Sequence, residues 1–225
     1  SQSFAQVNRE LVAALLDLDV PVVPVDTGAH HFPPEDPAGR RVTAAMASGG
    51  SGAPDLTVRC AWPPRFHRPA SGKLALVVPW EFGAVPASWI RAADRNVDEI
   101  WAISDSVRAA WLRGGLDPER IVTVPLGVRT DLFHPEAPAV PLLTEKSFRF
   151  LWIGGATPRK GIDILLTAYE RAFTAEDDVC LVLKDVSLYG GQVTGAVAKF
   201  RGRPGAPEIL HLASDVPPGA MPSLY

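Results

Sequence analysis

The run Gly154-Gly155-Ala156-Thr157-Pro158-Arg159-Lys160-Gly161 holds the densest chemistry in the chain. Adjacent glycines let the backbone approach a bulky anion, a helix opening just afterwards offers unpaired amides, and two neighbouring cations add charge. The run leaves an apolar stretch of strand type, Phe148 to Ile153, and enters an amphipathic stretch, Lys160 to Phe173. Ligands of open α/β sheets bind at that strand-to-helix junction, and a phosphate is the anion this loop suits. The pattern is neither a Walker A loop nor a full GxGxxG. Spacing alone therefore leaves an ordinary turn with solvated basic residues as the simpler interpretation.

Few other residues combine in this way. Glu81 stands between Trp80 and Phe82 at the end of an apolar run, with Gly83 after it. His30, His31, His67, His134 and His211 show no metal-ligand spacing, and the His30-His31 pair reads as solvated loop. Cys60 and Cys180 each sit inside an apolar run, which predicts buried free thiols and no disulfide framework.

The elements that must position these residues follow from periodicity. Ser1 to Leu18 carries Phe4, Val7, Leu11, Ala14, Leu15 and Leu18 at helical spacing. Val20 to Val25 is a short strand-like run containing prolines, and Thr27 to Pro54 is loop-like with one short helix at Val42 to Ala47. Strands are predicted at Asp55 to Cys60, Lys73 to Pro79, Glu99 to Ser104 and Arg120 to Pro125. Helices fall at Pro86 to Arg95 and at Ser104 to Arg113, the latter stopped by Gly114-Gly115. Mostly apolar strands alternating with helices mean parallel pairing covered on both faces, a doubly wound α/β domain.

Leu132 to Ser147 is polar and contains prolines, as expected of a crossing between domains. The pattern restarts at Phe148, with further strands at Asp178 to Val186 and Glu208 to Ala213 and a helix at Val193 to Phe200. Pro217-Pro218 opens a last helical segment. Two domains are expected, 1–140 and 147–225, with the βα repeat of the second left unfinished.

Composition narrows the function classes. A chain of 225 residues with 47% hydrophobic content can bury a sizeable core. A net charge of −3 argues against a nucleic-acid binder held by counterion release. No apolar run approaches the roughly 20 residues that span a bilayer. No signal or transit peptide pattern is visible in a chain that opens at Ser1, and a cytoplasmic location is expected.

Several stretches, in one order along nearly the whole chain, resemble the bacterial type of the family 4 glycosyltransferases, enzymes of the GT-B fold built from two Rossmann-like domains. Phe150 through Tyr169, with Gly154-Gly155 and Pro158-Arg159-Lys160-Gly161 inside it, resembles the opening of their donor-binding domain. Val97 through Ser104 and Val122 through Val128, with Phe133-His134-Pro135, resemble the last part of their N-terminal domain. Pro79-Trp80-Glu81-Phe82-Gly83 is similar to a motif of one bacterial branch, and Val7 through Leu11 to its first helix.

The resemblance implies retaining transfer of a sugar from a nucleoside diphosphate sugar to an acceptor that the sequence leaves open among a glycan, a lipid and a small molecule, a sugar-containing one being expected. It implies no cofactor and no obligate metal, because basic side chains and helix amides offset the diphosphate charge. It implies no nucleic-acid partner, and it admits contact with the inner face of a membrane. Lys160 would hold the diphosphate with Arg159, Gly154 and Gly155 would let it approach, and Lys184 would add a cation unless it is a snorkelling surface lysine. Gly127 and Ser104 would stand at the cleft. Glu81 would be the catalytic candidate, meeting sugar hydroxyls while Trp80 stacks on a ring. A capping or salt-bridged Glu81 beside a packed aromatic pair fits equally. Arg65, Phe66 and His67 are candidates to line an acceptor pocket.

The chain departs from the family in four places. Gly155 stands where relatives often carry Arg, and no His lies near Glu81. The strand and glycine loop expected before Ser1 are not in this sequence, and neither is the pair of glutamates expected after Tyr225. An inactive binding or scaffold module of the same fold is the alternative.

Overall fold

The computed structural model describes residues 2–25, 37–50, 52–155, 157–185, 192–214 and 216–225. The chain divides into two compact units, Ser1–Gly127 and Val128–Tyr225.

In the first unit, α1 (Gln2–Asp17) and α2 (Pro37–Ser48) precede β1 (Leu56–Cys60) and β2 (Lys73–Val77). Then follow α3 (Ala87–Asn96), β3 (Glu99–Ala102), α4 (Asp105–Arg113) and β4 (Ile121–Thr123). All four strands are parallel and lie in the order β1-β2-β3-β4. Each strand advances one place across the sheet, as in one wing of a doubly wound fold. In β2, Leu74 through Val77 are buried without alternation, which happens only where both faces are covered. Leu74, Leu76, Ile100 and the fully buried Trp111 centre the core, with Ala93 and Val107 packed from the helices.

The second unit holds β5 (Phe148–Gly154), α5 (Ile162–Ala172), β6 (Val179–Asp185), α6 (Gln192–Arg201) and β7 (Glu208–Leu212). Its strands are parallel in the order β5-β6-β7. Leu181, Leu183 and Ile209 meet Leu166 and Tyr169 of α5 and Val193, Val197 and Phe200 of α6. Residues 128–147 group with this unit, although the sequence predicts 128–140 in the first domain and Leu132 to Ser147 as the crossing between the two. Val140 N–H donates to the Ser223 carbonyl at 2.8 Å, and Lys146 Nζ donates to the carbonyls of Ala175 and Asp177 at 3.1 and 2.7 Å. The chain ends in a 3-10 segment, Pro218–Leu224.

Two expectations about elements need correction. Val20 to Val25 forms no strand, because Pro21 and Pro24 have no N–H to give to a ladder. The run instead lies against the first helices, where a side chain on Gly50 would come within 2.4 Å of Val23 Cγ2. The helix expected from Lys160 begins only at Ile162, after a separate 3-10 turn over Pro158–Lys160. His30 and His31 lie outside the described residues, as does part of the loop that holds them. No helix among the described residues is long and apolar enough to cross a membrane.

Candidate functional site

At the carboxyl end of β5 the chain makes two consecutive tight bends. Thr157 N–H donates to the Gly155 carbonyl at 2.7 Å, and Lys160 N–H to the Thr157 carbonyl at 2.9 Å. Gly161 then turns left-handed, with φ 62° and ψ 29°, and its carbonyl accepts the Leu165 amide as α5 starts. A residue with a Cβ is strained in that conformation, so Gly161 separates the 3-10 turn from the helix. Lys160 therefore stands before the helix, and its stem folds back over the strand end. A Cβ on Gly154 would lie 3.8 Å from Lys160 Cδ and 3.3 Å from the Trp152 ring. Gly154 thus leaves room for the lysine stem while Gly155 is buried beneath the bend. Arg159 and Lys160 are both exposed, and Gly161 supplies no side-chain cap to the first amides of α5. Backbone donors and an ammonium are the equipment of an anion site.

Lys184 is only 3% exposed, which removes the snorkelling alternative. Its ammonium donates to the Asp185 carbonyl. In register it pairs with Ile153 and Leu212, whereas Gly154 pairs with Asp185. Strand residues alternate between faces, so Lys184 and Gly154 belong to opposite faces of the sheet. Two residues that the sequence did not single out gather on the Gly154 face. The Asp185 and His211 side chains are 5% and 8% exposed, with Oδ2 and Nε2 3.8 Å apart. Asp185 Oδ1, His211 Nε2 and the Thr157 hydroxyl are buried without a hydrogen-bond partner among the described residues. Only the fold brings His211 beside Asp185, by pairing it with Leu183 in the next strand. No cluster of three or more metal-ligating side chains occurs among the described residues.

In the first unit, Trp80 and Glu81 follow β2. The Trp80 indole N–H donates to the Ala84 carbonyl at 3.1 Å, and its ring meets Phe82 at 5.0 Å and Trp89 at 5.2 Å. Glu81 is exposed. Ser104 is the N-cap of α4: its hydroxyl accepts the Val107 amide at 3.3 Å, which accounts for a serine there. Gly127 is exposed, with open space where a Cβ would be. Phe66 packs on Trp89 at 5.9 Å, while Arg59 donates to the carbonyls of Arg65 and His67. Burial pushes the Cys60 thiol up to about 11 and also raises Cys180, so both stay protonated and poorly nucleophilic near neutral pH.

Two all-parallel sheets, with a helix between successive strands everywhere except from β1 to β2, and with most candidate residues at or beyond the strands' carboxyl ends, define an α/β protein of Rossmann-like build. No family's sequence profile matches the chain, and no curated protein matches it. Among solved structures, the chain is similar to Anabaena Alr3699/HepE in complex with UDP-glucose, at TM-score 0.47 and 18% identity. Complexes of the same protein with UDP and glucose and with UDP give TM-scores of 0.47 and 0.46 at 16% and 18% identity. Each comparison covers 68% of this chain and 44% of the other, so the chain spans less than half of that protein's length.

Proposed function

We propose that the protein is a retaining glycosyltransferase, of the GT-B type that its motifs resemble, using a nucleoside diphosphate sugar as donor. The observation that carries this is the β5 loop: buried Gly155, Gly154 under the Lys160 stem, and a bend that leaves α5 uncapped by any side chain. A diphosphate fits there because the lysine ammonium and the backbone amides answer the same oxygens. Arg159 assists from the same turn. Lys184, buried on the other face, acts from behind the strand end and is a weaker candidate.

In transfer, the departing diphosphate gains negative charge as the sugar–oxygen bond breaks, and fixed cations near it lower that barrier. Glu81 accepts hydrogen bonds from sugar hydroxyls, with Trp80 beside it. Retention means that the new glycosidic bond keeps the anomeric configuration of the donor. The acceptor carries sugar, and no metal is required.

The test is to incubate the full-length protein with UDP-, GDP- and ADP-sugars and an array of acceptors, then read the anomeric configuration of the product by NMR. Transfer with retained configuration supports the proposal. Inverted product removes the retaining mechanism. Nucleoside diphosphate binding without transfer to any acceptor favours the scaffold alternative, for which the motivating observation is glycine in place of a cation at Gly155.

A further inference from the structure

We propose that Asp185 and His211 are positioning residues for the β5 loop, with His211 taking up a proton from solvent when a nucleoside diphosphate sugar binds there. This rests on the donor binding proposed above and adds proton linkage to the same site.

The pair stands where such linkage can act. Gly154 and Asp185 are in register on neighbouring strands, and His211 follows one strand further on, paired with Leu183. Adjacent strands lie about 4.8 Å apart and paired residues share a face. The Asp185 carboxylate is therefore on the Gly154 side of the sheet, one strand away from the loop. The Lys160 stem folds over that same side. Among the described residues no lysine or arginine pairs with Asp185, and the partner it meets is His211, Nε2 to Oδ2 at 3.8 Å.

Charge gives the pair its role. The two side chains are only 5% and 8% exposed. Asp185 Oδ1, His211 Nε2 and the Thr157 hydroxyl in the adjoining bend have no hydrogen-bond partner among the described residues. A carboxylate buried in this way is weakly screened, and it repels a diphosphate arriving one strand away. A neutral imidazole leaves that repulsion in place. A protonated one beside the carboxylate cancels it, so that Lys160 acts on the phosphates unopposed. The incoming anion thus favours the protonated form, and by reciprocity the protonated form favours the anion.

The other ionisable groups of the surrounding elements are turned elsewhere. The helix residues packed on this face are apolar: Ile162, Leu165 and Leu166 on α5, and Val193 and Val197 on α6. Asp163 of α5 and Lys199 and Arg201 of α6 are exposed, and Arg201 donates to the Ile209 carbonyl at 2.7 Å. Glu170 and Arg171 lie in the last turn of α5, where Glu170 pairs with Arg203. Tyr169 and Glu208 meet at the opposite end of β7, and Lys184 belongs to the opposite face. On the loop itself, Arg159 and Lys160 are exposed cations.

The experiment is titration calorimetry of the full-length protein with UDP-, GDP- and ADP-glucose, whose diphosphates do not themselves titrate near neutral pH. Repeating the titration of the best ligand in buffers of different ionisation enthalpy counts the protons exchanged on binding. Net uptake is expected near neutral pH, with affinity roughly three- to tenfold tighter at about pH 6 than at about pH 8. His211→Gln should keep the weaker affinity at every pH and show no uptake. Adding Asp185→Asn to it should restore the affinity, because the charge that needed cancelling is gone. Circular dichroism checks that the variants fold; if they do not, the unaltered protein decides alone, uptake supporting the linkage and its absence overturning it. Binding without uptake, uptake that survives in folded His211→Gln, or a folded double variant no tighter than His211→Gln overturns the linkage and leaves the donor site standing. Failure of the folded, unaltered protein to bind any of the three nucleotides overturns the donor site, and the linkage with it.

Discussion

Single residues carry two kinds of consequence. Burial pushes the Cys60 thiol from 9.0 up to about 11 and the Tyr169 phenol from 10.0 up to about 12, with the phenol donating to the Glu208 carbonyl at 2.9 Å. Each group holds its proton more tightly folded than unfolded. The stability it contributes is therefore complete below about pH 9 for Cys60 and about pH 10 for Tyr169. It is lost as pH rises through the folded values. Urea midpoints should be flat up to about pH 9 and fall above it, and Cys60→Ala should remove the earlier part of the fall. A decline that begins below pH 8 would contradict this assignment. Residue identities were only partly informative about environment. Lys184 read equally as a surface or a site residue, because a lysine at a strand end declares neither its cover nor its face. The Asp185–His211 pair joins positions 26 apart, and nothing local in the chain links them.

At the scale of elements, apolar runs of strand length were enough to locate all seven strands among the described residues, since parallel strands buried on both faces have to read that way. The exception was Val20 to Val25, apolar but deprived of two ladder donors by Pro21 and Pro24. Element ends carry the more instructive difference. The amphipathic pattern runs back to Lys160, but Gly161 adopts a left-handed conformation and the helix proper starts at Ile162. Gly161→Ala should cost about 1–2 kcal/mol in chemical denaturation, and Gly161→Asn less, because asparagine tolerates that conformation better. Equal costs for the two would mean that the backbone relaxes there. Ser104 has a role that the sequence did not assign to it. As the cap of α4, Ser104→Ala should cost about 1 kcal/mol while leaving nucleoside diphosphate affinity unchanged. A loss of affinity without a loss of stability would return Ser104 to the ligand.

For the whole molecule, each unit encloses its own core, one around Trp111 and one around Leu183. Leu183→Ala should destabilise the second unit by about 2–5 kcal/mol. Amide exchange in β2 and β3 should stay as slow as in the unchanged protein; faster exchange there would mean that the two cores unfold as one. The α/β class was legible from the alternation of strands and helices, but the position of the boundary between the two units was not. Residues 128–147 lack regular structure and look like a crossing, and only contacts such as Val140 with Ser223 attach them to the second unit. The central claim is that this second unit holds a nucleoside diphosphate at the β5 loop. Titration calorimetry of the full-length protein with UDP, GDP and ADP, against Lys160→Ala, tests it most directly. One charge-assisted phosphate contact is worth about 1.5–3 kcal/mol, so the variant should bind the preferred diphosphate roughly ten- to a hundredfold more weakly, with an unchanged circular dichroism spectrum. Equal affinity in the two proteins, or no binding by the unaltered one, would contradict the claim and leave the loop as a plain strand-to-helix turn.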